Sequence, residues 1–343
     1  MIVDAIKKVI GREDLNREEA AMVMEEIMSG KTTDAQIGSF ITALRMKGET
    51  VEEISGFAKV MREHATRIAP KAEELIDTCG TGGDTLDTFN ISTATAFVVA
   101  GVGVHVAKHG NRSVSSQCGS ADVLQELGVN IELSPEAVEE CINEVGIGFL
   151  FAPSLHRAMK YAIGPRREIG IRTVFNILGP LCNPAFATAQ VLGVYNESLV
   201  LMMAKVLGDL GVKHALVVHG ANGMDEISNT GKSHIAEFRN GELLEYDIAP
   251  EQFGLARCSI DALRGGLKSE NAAILKSVLS CKDGPQRDVV LLNSAAALIA
   301  ADKVSDFESG LRMAAESIDS GSAFEKLTKL IEFSNKYKIE KRS

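Results

Sequence analysis

The sequence predicts an α/β protein in two parts: a small N-terminal helical bundle over residues 1–70, and a larger α/β domain over 71–343 with a mainly parallel sheet. A segment near 160–185 is expected to join the bundle. Three observations carry this reading. The first 70 residues hold three helix starts and no strand-like run. From Leu75 onward short apolar runs alternate with helical stretches, the grammar of parallel βαβ units. From Glu270 to Lys336 the periodicity is helical again.

Within the bundle, Asn16 with Glu19, Thr33 with Gln36 and Thr50 with Glu53 have capping-box spacing, while Gly30 and Gly48 supply stops. Ile37, Phe40, Ile41 and Leu44 recur on one helical face, so the helices should be short and antiparallel. Beyond it, Leu75-Ile76-Asp77, Val104–Ala107, Gly148–Phe151, Val191–Tyr195 and Ala215–Val218 read as strands. Ile91–Ala100 reads as a helix capped by Asn90 or Ser92, and Ser134-Pro135-Glu136 begins another. Asn240-Gly241, inside Ile235–Asp247, signals a hairpin that adds an antiparallel element. Val289, Leu292, Ala296 and Ile299 form an apolar stripe in the C-terminal helices.

Two glycine-marked turns carry the chemistry. Cys79-Gly80-Thr81-Gly82-Gly83-Asp84 follows the first strand, and Lys108-His109-Gly110-Asn111-Arg112 follows the second. Three glycines in four residues let the backbone approach an anionic oxygen, and the helix after Asn90 would aim its positive pole at them. Both turns would lie at the carboxyl edge of one parallel sheet, where open α/β folds bind ligands. A plain tight turn is the competing reading of the glycines alone. Standard nucleotide signatures fail: Gly231-Lys232-Ser233 lacks the upstream P-loop glycine, whose place holds Glu226, and Gly101-Val102-Gly103 lacks a third glycine.

Bulk properties narrow the classes. In 343 residues, 45% hydrophobic and 24% charged is ordinary globular composition. Lys plus Arg total 36 against 46 Asp plus Glu, a net charge of −10 that argues against nucleic-acid or anionic-membrane partners. No apolar signal core or membrane-length run is present, so a soluble cytoplasmic protein is expected. The six cysteines show no C-x-x-C pair, which predicts free thiols and no zinc or dithiol site. No histidine and acid are placed to activate Cys79 or Cys118 as a nucleophile.

CGTGGD (79–84), FNIST (89–93), KHGNRSVSSQCGSADVLQELG (108–128), GPRREIGIRTVFNILGPLCNP (164–184) and HGANGMDEIS (219–228) together resemble the anthranilate phosphoribosyltransferase family, of the nucleoside-phosphorylase-like class, over essentially the whole chain. The resemblance implies a homodimer that transfers phosphoribose from phosphoribosyl diphosphate to anthranilate with Mg2+, two ions per subunit. It places Gly80, Gly83, Asp84, Thr88, Asn90, Ile91, Ser92, Thr93, Lys108, Ser116 and Ser120 on the phosphoribosyl diphosphate. Gly80, Asn111 and Arg166 fall on anthranilate, and Ser92, Asp225 and Glu226 on the metal. Gln117-Cys118 departs from the expected Lys-Ser and touches only the tuning of diphosphate contacts.

The residues suit that chemistry. Departure of diphosphate from ribose C1 builds positive charge on the sugar and negative charge on the leaving group, so donors and cations matter more than a nucleophile. Adjacent acids such as Asp225-Glu226 are common on surfaces, yet magnesium takes one or two carboxylates plus phosphate oxygens. Arg166 could sit in a solvated basic turn paired with Glu168, but a planar guanidinium also matches a benzoate-type carboxylate. An aromatic amine is neutral and nucleophilic at pH 7, so no catalytic nucleophile or general base is expected, and His109 is read as a positioning group. Two relatives compete. A pyrimidine nucleoside phosphorylase would be longer and lack Asp225-Glu226, and a nucleic-acid-binding relative would be basic with a damaged cradle.

Overall fold

The computed structural model describes residues 1–113 and 117–340. Four helices come first: α1 (Ile2–Ile10), α2 (Arg17–Met28), α3 (Asp34–Lys47) and α4 (Val51–Glu63). All three expected capping boxes form, at Asn16 with Glu19, Thr33 with Gln36 and Thr50 with Glu53. Each satisfies helix-end amides that would otherwise lack a partner.

The second part runs β1 (Ile76–Gly80), α5 (Ile91–Gly101), β2 (Val106–Gly110), α6 (Ser120–Glu126), α7 (Pro135–Val145) and β3 (Ile147–Phe151). It continues through α8 (Ala152–Leu155), α9 (Lys160–Ile169), α10 (Phe175–Leu178), β4 (Ala189–Gly193), α11 (Val200–Asp209) and β5 (His214–His219). After the hairpin β6 (Ser233–Arg239) and β7 (Glu242–Ile248) come α12 (Lys268–Leu279), α13 (Pro285–Ala300), α14 (Phe307–Asp319) and α15 (Ser322–Glu340). No helix among the described residues is long and apolar enough to cross a membrane.

The seven strands pair in the order β3-β2-β1-β4-β5-β6-β7. β1 to β5 are parallel, and β6 and β7 are antiparallel. Asn240 and Gly241, at φ 49° and 93°, make the tight hairpin turn that the Asn-Gly pair signals. The order reverses between β1 and β4, whose ends are in register as Gly80 opposite Gly193. Doubly wound sheets open their ligand crevice at such a reversal, beyond the carboxyl ends of the strands.

Strand periodicity sorts the two faces. Leu192, Val194, Ala215 and Val217 point into a core shared with the N-terminal helices, while Val191, Leu216 and Val218 point into the core of α5, α13, α14 and α15. The helical bundle therefore packs directly on one face of the sheet. α9 packs against α2 and α3, and α10 against α4. Segment 160–178 thus returns to the first helices.

Two local details differ from the sequence reading. Lys108 and His109 lie within β2, not in a turn after it, because the strand starts two residues later than its apolar run and continues to Gly110. Asn90 is the N-cap of α5 but makes no side-chain capping bond; its Nδ2 donates instead to the Cys118 carbonyl at 3.1 Å.

Glu53 anchors the bundle. It is fully buried, and its carboxylate accepts from the Leu15 amide at 3.0 Å, the Thr50 amide at 2.8 Å and Lys47 Nζ at 3.0 Å. Truncation would strand two amides and leave the buried Lys47 ammonium with only the Asp14 carboxylate and the Gly48 carbonyl, at 2.6 and 2.7 Å. Glu53→Ala is expected to cost about 3 kcal/mol by urea denaturation, the range for removing one member of a buried pair; a surface-like loss of a few tenths would show that these bonds carry no net stability.

Candidate active site

The crevice is built from what glycine permits. At Gly193 an added Cβ would fall 1.4 Å from the Asp225 carbonyl oxygen, and at Gly80 it would fall 2.3 Å from Asp225 Oδ2. Asp225 thus occupies space that side chains on the ends of β1 and β4 would need. The Gly82 amide donates to its Oδ2 at 2.7 Å. The Gly220–Met224 bridge shapes the approach, and buried Asn293 of α13 clamps both the amide and carbonyl of Ile227, at 3.0 and 2.8 Å.

Asp84, at the end of the glycine turn, completes a cluster: one carboxylate oxygen each from Asp84, Asp225 and Glu226 lie within 4.8 Å of one another. Burial raises all three; repulsion from neighbouring carboxylates adds to it at Asp84 and Glu226, whereas at Asp225 hydrogen bonds, the Gly82 amide first, oppose it. Asp84 reaches about 6, Asp225 is raised, and Glu226 is pushed well above the carboxylate range. Asp84 Oδ2 and Glu226 Oε2 are buried without a hydrogen-bond partner. Hard oxygen donors gathered against their own repulsion, with lone pairs unspent, fit a divalent cation such as Mg2+.

A cation lies beside them. Lys108 is 3% exposed, and its Nζ donates to the Thr78 carbonyl at 2.6 Å and to Ser92 Oγ at 3.3 Å. Burial lowers its pKa and Asp77 opposes the shift. An ammonium has three donors, so one remains for an anion. Ser92 therefore stands at the lysine, at the head of α5. Thr93 Oγ1 and Asn90 Oδ1 are buried and unpartnered.

The remaining expected residues are placed as follows. The amides of Thr81 and Gly82 are already engaged, by the Gly193 carbonyl at 2.9 Å and by Asp225, so the turn is less bare than its glycines suggest. Ile91 points into the core and its amide donates to Phe89 O at 2.7 Å. Thr88 bridges Arg264. Ser120 Oγ donates to the Asn111 carbonyl at 3.3 Å, and Asn111 is exposed on the second loop. Ser116 lies outside the described residues.

Arg166 is in helix α9, not a turn. Half-buried, it stacks on Phe175 at 5.1 Å, has no acidic partner among the described residues, and has its pKa lowered by burial. Neither Arg166 nor Asn111 shares a hydrogen bond with the carboxylate cluster. His109 is buried with Nε2 3.2 Å from His156 Nε2, and burial and His156 hold its pKa well below normal. It is a weak base there, which suits a fixed hydrogen-bonding ring. All six cysteines are free, and Cys79 and Cys118 have raised pKa values, the latter to about 11.

Sequence reasoning missed the support of the site. Asp77, fully buried and pushed up to about 6 by burial, accepts from Asn183 Nδ2 at 2.8 Å and the His109 amide at 3.1 Å. An aspartate inside an apolar strand was the available signal. Gly193, Asn293 and Asp84 as a cluster member gave none, since each acts through a fold-dependent approach.

A family description, glycosyl transferase family, a/b domain, matches residues 72–324, and its helical bundle domain matches residues 3–65. The chain is 60% identical over 333 residues to the anthranilate phosphoribosyltransferase of Pelotomaculum thermopropionicum, covering 97% of this chain and 96% of that protein. This chain belongs to the anthranilate phosphoribosyltransferase family. The crystal structure of the Thermus thermophilus member superposes with a TM-score of 0.92 at 43% identity, covering 97% and 99% of the two chains. The Saccharomyces cerevisiae member in complex with PRPP and Mg has a TM-score of 0.89 at 28% identity, covering 98% of each.

Gly193→Ala is expected to displace Asp225 and weaken Mn2+ binding, followed by electron paramagnetic resonance, by roughly 10- to 100-fold, the effect of disturbing a ligand's support. Gly38→Ala is the control, because its Cβ would meet only the Ile169 side chain, at ordinary contact distances of 3.5 and 4.0 Å. Equal affinities in the two variants would mean that the cluster tolerates movement of Asp225.

Proposed function

We propose that this chain transfers the phosphoribosyl group of 5-phosphoribosyl 1-diphosphate to anthranilate, giving N-(5-phosphoribosyl)anthranilate and diphosphate, a step of tryptophan biosynthesis. The observation that carries the reading is the carboxylate cluster of Asp84, Asp225 and Glu226 at the β1/β4 reversal, beside the buried Lys108 ammonium. The anthranilate nitrogen forms a bond to ribose C1 as the C1–O bond to diphosphate breaks, and the amine proton leaves to solvent.

Magnesium, two ions per subunit, would be held by Asp225, Glu226 and Ser92, with Asp84 alongside, and would neutralise charge on the departing diphosphate. Lys108 adds its remaining N–H to the same anion. Gly83, Thr88, Asn90, Ser92, Thr93, Ser116 and Ser120 complete the grip on the phosphoribosyl diphosphate. Gly80 and Ile91 border it through backbone. The unspent Thr93 hydroxyl and the positive end of α5 support that placement. Preorganised donors of this kind each change rate on the order of 100- to 1000-fold.

Arg166 and Asn111 would orient anthranilate, the unpaired guanidinium meeting its carboxylate. The same reading takes residues 1–70, joined by 160–185, as the helical domain and 71–343 as the phosphoribosyl diphosphate domain. It also takes the molecule as a cytoplasmic homodimer, supported by free thiols and by exposed Ile10 and Met46 on the bundle.

The decisive assay is loss of anthranilate fluorescence when phosphoribosyl diphosphate and Mg2+ are added, and its abolition by EDTA. No loss at saturating substrates would refute the activity. Asp225→Asn combined with Glu226→Gln should cut turnover at fixed Mg2+ by about 100-fold or more, in line with the loss of a charge-stabilising group; unchanged magnesium dependence would remove them as ligands. Arg166→Ala should raise KM for anthranilate roughly 10-fold, as expected for a charge-assisted bond, with KM for phosphoribosyl diphosphate unchanged. The opposite pattern would move Arg166 to the other substrate.

A further inference from the structure

The glycine turn has a feature that its glycines alone do not explain. Gly82, Gly83, Thr85 and Asp87 all have positive φ, at 66°, 80°, 63° and 51°, and two of them carry side chains that resist this conformation. A backbone so arranged needs surroundings that hold it there.

We propose that Arg172 is a positioning residue that clamps this turn, so that Asp84 is presented to Asp225 and Glu226. Arg172 lies in the short connection between α9 and α10 and donates through Nη2 to the Gly83 carbonyl. A Cβ on Gly83 would be 3.2 Å from Cζ, 3.2 Å from Nη2 and 3.3 Å from Nε. Three nearly equal distances mean that the guanidinium lies flat over the Gly83 backbone.

The same guanidinium lies over Tyr195, whose ring centroid is 4.7 Å from Cζ. Tyr195 is tied to the same turn, because its amide donates to Thr81 Oγ1 at 3.2 Å. The Thr81 amide in turn donates to the Gly193 carbonyl at 2.9 Å. The guanidinium thus contacts both an aromatic ring and a glycine of the turn, and the turn is hydrogen-bonded to both Arg172 and Tyr195. Arg172 has no carboxylate partner among the described residues, so ion pairing does not account for its position.

Asp84 follows Gly83 directly, and its Oδ2 is one of the two unpartnered oxygens of the cluster. A planar, stacked donor is a task for arginine, since lysine keeps the charge but neither the plane nor the fork. The clamp also links the chain segment that carries Arg166 to the turn that carries Asp84.

The proposal rests on the cation and phosphoribosyl diphosphate site described above, and its test is read as a ratio to the wild-type protein. Mn2+ affinity without substrate, KM for each substrate and melting temperature are measured for Arg172→Ala and Arg172→Lys. Arg172→Ala should weaken Mn2+ binding and raise KM for phosphoribosyl diphosphate by roughly 10- to 100-fold each, the range for groups that support a metal ligand, with KM for anthranilate and the melting temperature unchanged. Arg172→Lys should fall between alanine and wild type. Should Arg172→Ala not fold, Tyr195→Leu removes the other half of the stack and is expected to weaken Mn2+ in the same direction. Unchanged Mn2+ affinity, or a rise confined to KM for anthranilate, would overturn the proposal. A wild-type protein without transferase activity would refute the functional reading instead, leaving the Mn2+ ratio to decide the clamp.

Discussion

The structure depends on letting Asp225 come closer to the sheet than any side chain on β1 or β4 would allow. Gly80 and Gly193, in register at the reversal of strand order, leave the room, and the carbonyl and carboxylate of Asp225 fill it. The approach brings Asp225 and Glu226 to Asp84, and the repulsion of three carboxylates is offset by one backbone amide and the nearby Lys108. Burial in so acidic a spot is unfavourable for the protein by itself. On the proposed function it becomes favourable when a cation and an anionic substrate enter together, so that folding energy would be held in reserve for binding.

The architecture around this point is stiff where it needs to be. The helical bundle shares a core with one face of β4 and β5, and α5, α13, α14 and α15 cover the other. The strand ends that carry Gly80 and Gly193 are therefore held from both sides, while Ala107, next to Lys108 on β2, packs in a third cluster with Leu150 and Leu155. Asn293 holds the backbone of Ile227, the residue after the acidic pair, while Asp77 and Asn183 pin β1 to β2 and to the loop before β4. The glycine turn has few such supports of its own, which is why the stacked guanidinium of Arg172 matters.

Much of this is legible in residues. Capping boxes locate α2 to α4 because a cap is a local bond between residues three apart, and Asn240-Gly241 locates the hairpin for the same reason. The two glycine turns, Asp225-Glu226 and Arg166 stand out by type and motif. What stays hidden is set by distance in sequence. Gly193 looks like any strand glycine until β4 is placed beside β1. Asp84 reads as a turn residue until residue 225 arrives, and Arg172 reads as one more base in a basic segment. Lys108 reads as a turn residue although it lies in β2, because polar residues at the end of a buried strand resemble a loop. Asn90 has the residue type of a side-chain cap for α5, but its side chain is turned to donate from Nδ2 to the Cys118 carbonyl, and Oδ1, the atom a cap would use, is left unpartnered.

The central claim is that Asp84, Asp225 and Glu226 form one cation site that receives the diphosphate. A crystal soaked with Mn2+ and phosphoribosyl diphosphate, with the ion located by anomalous scattering, tests it directly. The account predicts an anomalous peak coordinated by this cluster and by oxygens of the diphosphate. A peak elsewhere, with the cluster carboxylates free of metal at saturating Mn2+, would contradict it.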